Sequence, residues 1–302
     1  PTGSADVSDG DTSNAMAGSL AEDHYGGGAF EAAPTSDAFE RRGGTDIGIA
    51  LHAVLEDLLR RRDGQETSEV AELVVQRFGE QGVNFNDPDR VVAEFLQILR
   101  HPLGEAFDHL SLLDLSSSPS VSTVSEMRFT LPLGGAGVVV DRVVELSQAV
   151  VAGDPDGPYV EFFQGIALAP AERGRLFHGF LNGSIDLVAR VGTDPRRFNV
   201  LDYKSNQMKR APSFAPEGLV GEMALAGYPL QGLLYMVALH RYLGRRLPDY
   251  SPGTHLGSIC YYYVRGAVGP QVRPGDGLAT WDIPADVVVE VSKILAGKGR
   301  QR

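Results

Sequence analysis

Residues 183–204 read GSIDLVARVGTDPRRFNVLDYK, and their patterning decides the fold. The two-residue period of extended chain predicts a strand over 180–191, with Leu181, Ile185, Leu187, Ala189 and Val191 on one face and Asp186 on the opposite one. A second strand, 198–204, reads FNVLDYK, and Gly192-Thr193-Asp194-Pro195 between the two is a turn signal. The midpoint of 186 and 202 is 194, inside that turn. An antiparallel hairpin about it sets Asp186 and Asp202 opposite each other, with Cβ atoms about 4.5–5.5 Å apart. Lys204 lies two residues beyond Asp202, so it shares that face about 6.6 Å along the strand.

Two carboxylates side by side repel unless a cation or a shared proton intervenes. A divalent metal answers this, and carboxylate oxygens suit Mg²⁺ or Mn²⁺. The plainer alternative is that Lys204 neutralises one aspartate while the other points to solvent. His52 is the next candidate. It lies beside the apolar stripe of its helix, one turn after Gly48, which allows another element to approach closely; an ordinary structural histidine at a helix edge reads the same way. Gln231 and Tyr235 are one turn apart on a long helix, with Tyr228 another turn earlier. That polar-aromatic stripe is either part of a site or a helix edge with a satisfied glutamine.

Outward from this centre, residues 1 to 43 are rich in Gly, Ser, Ala and Asp, and read as a flexible acidic linker. A helix begins at Thr45 or Asp46 and runs through IGIALHAVLEDLLRRR, with Ile47, Leu51, Val54, Leu55 and Leu58 as its stripe. A second starts near Thr67 or Ser68, and a third at Asp87-Pro88, a cap followed by proline at the first helical position. The period then changes to two. VSTVSEMRFTL (121–131) alternates, with Met127, Phe129 and Leu131 on one face and Glu126 and Arg128 on the other. Helix 229–246, a strand at 256–264 (LGSICYYYV) buried on both faces, and a last helix near Pro284 complete the pattern. Helices flanking a small mixed sheet make this an α/β or α+β domain, expected to hold one core over residues 44–302.

With 43% hydrophobic residues among 302, the chain can bury a real core, and general disorder is excluded. No stretch approaches the roughly 20 apolar residues of a membrane span. The N-terminus has neither the basic nor the apolar region of a secretory signal, and it begins without Met, as a piece of something longer would. One cysteine, Cys260, rules out a disulfide framework or a Cys-ligated iron–sulfur cluster within one chain, and a reduced, cytoplasmic setting is expected. No G-x-x-x-x-G-K-[ST] occurs, so no ATP site is expected here. The net charge of −12 argues against nucleic acid until its distribution is read. Residues 1–46 hold nine acids and two bases, whereas 196–210 carry Arg196, Arg197, Lys204, Lys209 and Arg210 against Asp202 alone. A basic stretch on a mildly acidic body suits a site that handles a polyanion; a solvated loop is the alternative.

GSIDLV, LDYKSN, YPLQGLLYMVALHRYLGRRLPDY and ICYYYVRG, with IGIALHAVLE and SEMRFTLPL upstream, resemble the C-terminal nuclease domains of RecB-type helicase–nucleases over roughly residues 44–270. The resemblance implies the restriction-endonuclease-like PD-(D/E)XK fold and an Mg²⁺-dependent deoxyribonuclease of the exodeoxyribonuclease V kind, acting in double-strand-break repair and recombination. It implies that His52, Asp186, Asp202 and the backbone carbonyl of Tyr203 surround the metal, that Lys204 orients or activates the attacking water, and that Glu126 is a further active-site acid. Gln231 and Tyr235 match a Gln-x-x-x-Tyr element that helps hold the substrate. Tyr228, Lys209 and Arg210 are expected on the nucleic acid beside them. DNA, a helicase portion and RecC-like and RecD-like subunits are the implied partners. A non-cleaving DNA- or partner-binding module on the same fold is the competing reading, and loss of either aspartate or the lysine would have favoured it.

Overall fold

The computed structural model describes residues 45–61, 67–83, 85–133, 139–168, 179–192, 196–208 and 213–298. The expected linker at 1–43 and the basic residues Lys209 and Arg210 lie outside these.

Three helices open the chain: α1 (Thr45–Arg60), α2 (Thr67–Glu80) and α3 (Pro88–Arg100). The Asp87 side chain caps α3 by accepting the Arg90 N–H at 3.0 Å, which explains its sharp start at Pro88. After the short α4 (Leu112–Ser117), strand β1 (Ser122–Leu133) enters the sheet. Two helices absent from the sequence-based expectation follow, α5 (Val139–Gly153) and α6 (Val160–Leu168). Next come β2 (Gly179–Val191), β3 (Arg197–Lys204), α7 (Pro216–Leu225), α8 (Tyr228–Arg246), α9 (Pro252–His255), β4 (Leu256–Tyr263), β5 (Leu278–Trp281) and α10 (Ala285–Leu295).

The strands form one mixed sheet in the order β1-β2-β3-β4-β5, antiparallel throughout except for the parallel β3–β4 pair. The parallel pair needs a long crossover, and α7 and α8 fill it. Helices cover both faces, so the chain builds two hydrophobic clusters rather than the single core expected. On one face Leu187, Ala189, Leu201, Tyr203, Cys260 and Tyr262 pack under α1–α4. On the other, Val188, Val200, Ile259, Tyr261 and Tyr263 pack under α5–α8 and α10. This is why every residue of β4 is buried.

The hairpin register is as the turn position requires: Leu187 pairs with Leu201 and Val188 with Val200, which sets Asp186 across from Asp202. The face pattern of β2 differs from the expected uniform alternation. Leu187, Ala189 and Val191 belong to the α1–α4 side, but Leu181 and Ile185 belong to the other cluster. The chain through β1 switches likewise, from Val121 just before the strand on the first side to Met127 and Leu131 on the second. In β1 the change falls at Glu126, which sits between these stretches with φ at 51°, in the left-handed region that non-glycine residues rarely adopt. The pairs Ser125–Leu187 and Met127–Ile185 flank it, so the break falls opposite Asp186.

Candidate active site

α1 reaches the sheet because Gly48 has no side chain. A Cβ there would meet the Ser205 Oγ, just past the end of β3, at 3.2 Å. One turn later His52 points at the strand ends, with its Nδ1 3.5 Å from Asp186 Oδ1 and its ring edge-on to the Tyr203 ring at 5.7 Å. Asp186 lies where β2–β3 pairing ends, and its other oxygen accepts the Tyr203 N–H at 2.8 Å, closing off the ladder with a side chain. Glu126 joins from β1. The ligand atoms of His52, Glu126 and Asp186 all come within 4.8 Å of one another.

The hairpin arithmetic placed both aspartates around one cation; the group of three within mutual reach contains only the first of them. Asp202 is not in that cluster. Its Oδ2 lies 2.6 Å from the Lys204 Nζ in an ion pair that is almost wholly buried, with 3% and 11% of the two side chains exposed. Asp186 turns toward His52 of α1, while Asp202, between Leu201 and Tyr203 of the first cluster, keeps the regular alternation of β3. The two remain electrostatically linked. Burial, reinforced by the Asp186 charge and opposed by Lys204, pushes the Asp202 carboxyl up to about 6.

Lys204 sits in a polar-aromatic cage supplied by α8 and β4. Its ammonium donates to Gln231 Oε1 at 3.3 Å and lies 4.1 Å from the centre of the Tyr228 ring and 5.4 Å from that of Tyr261. The Tyr261 hydroxyl donates to the Tyr228 carbonyl at 2.8 Å and reaches Gln231 Oε1 at 3.4 Å, tying the cage together. Burial alone would lower the lysine, but the Asp202 charge and the Tyr228 contact outweigh it and raise it, so the ammonium is kept. Tyr235 is also buried, edge-on to Phe129 at 5.8 Å. Tyr228 and Tyr235, expected on nucleic acid, thus pack inside the site and present little surface.

His52 shows the pull of its surroundings. Burial lowers it, but the Asp186 hydrogen bond and the Asp186 and Asp202 charges prevail, bringing it to about 9. Glu126 is raised, first by burial and then by the Asp186 and Glu56 charges, against a hydrogen bond from the Ser184 hydroxyl at 2.7 Å. Ser184 and Tyr261 are the contributors that sequence reasoning missed. Ser184 had a signal, because the strand period puts it two residues from Asp186. Tyr261 had none inside a uniformly apolar run.

A helix–sheet–helix layer of this topology, with acids where the pairing of two central strands ends and a lysine two residues past one of them, defines a nuclease class. The sequence profile of the PD-(D/E)XK nuclease superfamily matches residues 24–281, and the chain belongs to that superfamily. It is similar to the RecBCD enzyme subunit RecB of Mycolicibacterium smegmatis, 35% identical over 211 residues that cover 64% of this chain and 19% of that protein. It is also similar to the RecBCD enzyme subunit RecB of Escherichia coli, 28% identical over 268 residues, or 87% of this chain and 20% of that one. The chain spans about a fifth of the length of these relatives. No helix among the described residues is long and apolar enough to cross a membrane.

Proposed function

We propose that this chain is a divalent-metal-dependent deoxyribonuclease module that hydrolyses phosphodiester bonds as part of a RecB-type helicase–nuclease. In that setting it works on DNA during double-strand-break repair and recombination, beside a helicase portion and RecC-like and RecD-like subunits. The observation that carries the reading is the convergence of His52, Glu126 and Asp186 next to a buried, charged Lys204.

The donors fit a divalent cation. Two carboxylates and an imidazole lie within mutual reach, and the pull of the acids raises the His52 pKa, so positive charge is favoured at this point; to ligate an ion His52 would give up its proton. His52, Glu126 and Asp186 would hold the ion, with Asp202 and the Tyr203 carbonyl as the further ligands the resemblance implies; Mg²⁺ or Mn²⁺ suits the oxygens. A bound divalent ion would supply Lewis-acid stabilisation of the charge that builds on the phosphate and the leaving oxygen. The chain's own part is positioning and electrostatics. Asp202, Gln231 and the rings of Tyr228 and Tyr261 fix the Lys204 ammonium so that it faces a phosphate oxygen or orients the attacking water without reorganising. The buried surroundings strengthen that interaction relative to water.

The test is cleavage of linear DNA with and without Mg²⁺, comparing the parent with Asp186→Ala and Asp202→Ala. Metal-dependent cutting lost in both variants supports the reading. A parent that binds DNA and never cuts it would favour the non-cleaving module, and cutting that persists in chelator would end the metal assignment.

A further inference from the structure

Beyond the kink at Glu126, β1 and β2 run on together past the end of the β2–β3 pairing as a two-stranded ribbon, from Met127–Ile185 out to Leu133–Gly179. Its odd-numbered face, with Met127, Phe129, Leu131, Leu181 and Ile185, packs into the α5–α8 cluster. Its even-numbered face starts at Glu126 and Ser184, joined by their hydrogen bond, and continues through Arg128, then the hydrogen-bonded pair Thr130 and Asn182, to Phe180 opposite Pro132. Arg128, Thr130, Pro132 and Phe180 are exposed, Phe180 at 63%, the most of any large hydrophobic residue described. Arg128 makes no ion pair among the described residues.

A single exposed apolar residue needs no explanation. Here, though, a cation, a row of hydrogen-bonding side chains and an aromatic ring follow one another along a face that begins at the His52–Glu126–Asp186 cluster. Phe180 lies six residues from Asp186, about 20 Å along the strand. Resting on the nuclease reading, we infer that the even-numbered face of the β1–β2 ribbon is a track for one single nucleic-acid strand entering or leaving the site, with Arg128 on a backbone phosphate and Phe180 stacked on a base. The occupant is a single strand because stacking on Phe180 needs an unpaired base face, which a duplex does not offer. The ring has no hydrogen-bonding groups, so the track carries no base preference.

The experiment is fluorescence-anisotropy titration of a labelled single-stranded oligonucleotide without divalent metal, over a range of salt concentrations. It compares the parent with Phe180→Ala, Phe180→Trp, Arg128→Gln and, as a control on an exposed ring elsewhere, Tyr242→Ala. Phe180→Ala is expected to weaken binding about tenfold or more with an unchanged salt slope, and Phe180→Trp to restore it. Arg128→Gln is expected to reduce the slope of log affinity against log salt by about 0.7, the value for one phosphate on a single strand. Equal loss in Tyr242→Ala, or parent-like affinity and slope in both ribbon variants, would overturn the track. Both ribbon positions are exposed, and circular dichroism melts of each variant serve as the check on folding. Binding is read apart from cutting: a parent that binds through the ribbon but never cleaves refutes the nuclease reading alone, and a parent that cleaves while the ribbon variants bind normally refutes the track alone.

Discussion

Lys204 and its aspartates show how neighbouring residues of one motif acquire different duties. Asp186 holds His52 and the Tyr203 N–H, whereas Asp202 holds the lysine. Asp186→Ala should therefore abolish metal binding and cleavage with a modest loss of stability. Asp202→Ala leaves a buried ammonium without its counter-charge and should destabilise the fold by about 3–5 kcal/mol. Lys204→Ala keeps the His52–Glu126–Asp186 cluster, so it should retain Mn²⁺ affinity while cleavage falls by at least about 10²-fold. Calorimetry with Mn²⁺, urea melts and a cleavage assay on the same preparations check all three; loss of Mn²⁺ binding in Lys204→Ala would show that the lysine holds the site together. Tyr203 gives a second residue-scale case. Its hydroxyl is buried among the described residues with no hydrogen-bond partner. Tyr203→Phe removes an unpaired polar group and keeps the ring against His52, so urea denaturation should show equal or greater stability, by up to about 1 kcal/mol.

At the scale of elements, the β3–β4 pair contains an irregularity that side chains repair. Phe198 pairs with Leu256 but Val200 with Ile259, so β4 carries one extra residue across from Asn199. The Ser258 N–H freed by this shift is accepted by the Asn199 side-chain oxygen at 2.8 Å, and the same oxygen would lie only 2.0 Å from a Cβ at Gly257. Asn199→Leu should cost about 1–3 kcal/mol, the penalty of a buried N–H without a partner. Gly257→Ala should cost a similar amount by displacing Asn199. If thermal denaturation shows the two losses adding in full in the double variant, the coupling is absent, since changes that act on one contact do not add.

For the whole molecule, stability links the helical layer to the sheet through His101, at the end of α3, stacked on Tyr262 of β4 at 5.9 Å. Burial lowers its pKa below 6.5, against a hydrogen bond with the Asp276 backbone. The folded state then binds fewer protons than the unfolded chain once pH drops through 6.5. The His101 contribution to stability is full above that pH and declines below it, by at most about 1.4 kcal/mol per pH unit for one proton. His240, also lowered by burial, acts in the same direction. His101→Phe keeps a ring on Tyr262 and should flatten the stability profile between about pH 5 and 6.5; a profile with the parent's slope would assign the acid sensitivity elsewhere.

What the sequence determined by itself was local. Alternation and a central turn were enough to register β2 on β3 to the residue, because a short connection leaves antiparallel strands little freedom to slip. Capping residues marked the start of α3, and the order of strands and long helices announced a helix-flanked sheet. Tertiary structure decided the rest. Nothing in SEMRF reports that Glu126 takes a left-handed φ, since the two-residue period assumes regular strand; the faces of β1 change there, and those of β2 change opposite it, between Ile185 and Leu187. The helices between β1 and β2 are not expected from the sequence; they pack into the second cluster through Leu146, Val150, Tyr159 and Phe163. His52 meets Asp186 across 134 residues of chain, a distance that only the packing of α1 through Gly48 onto the sheet could close.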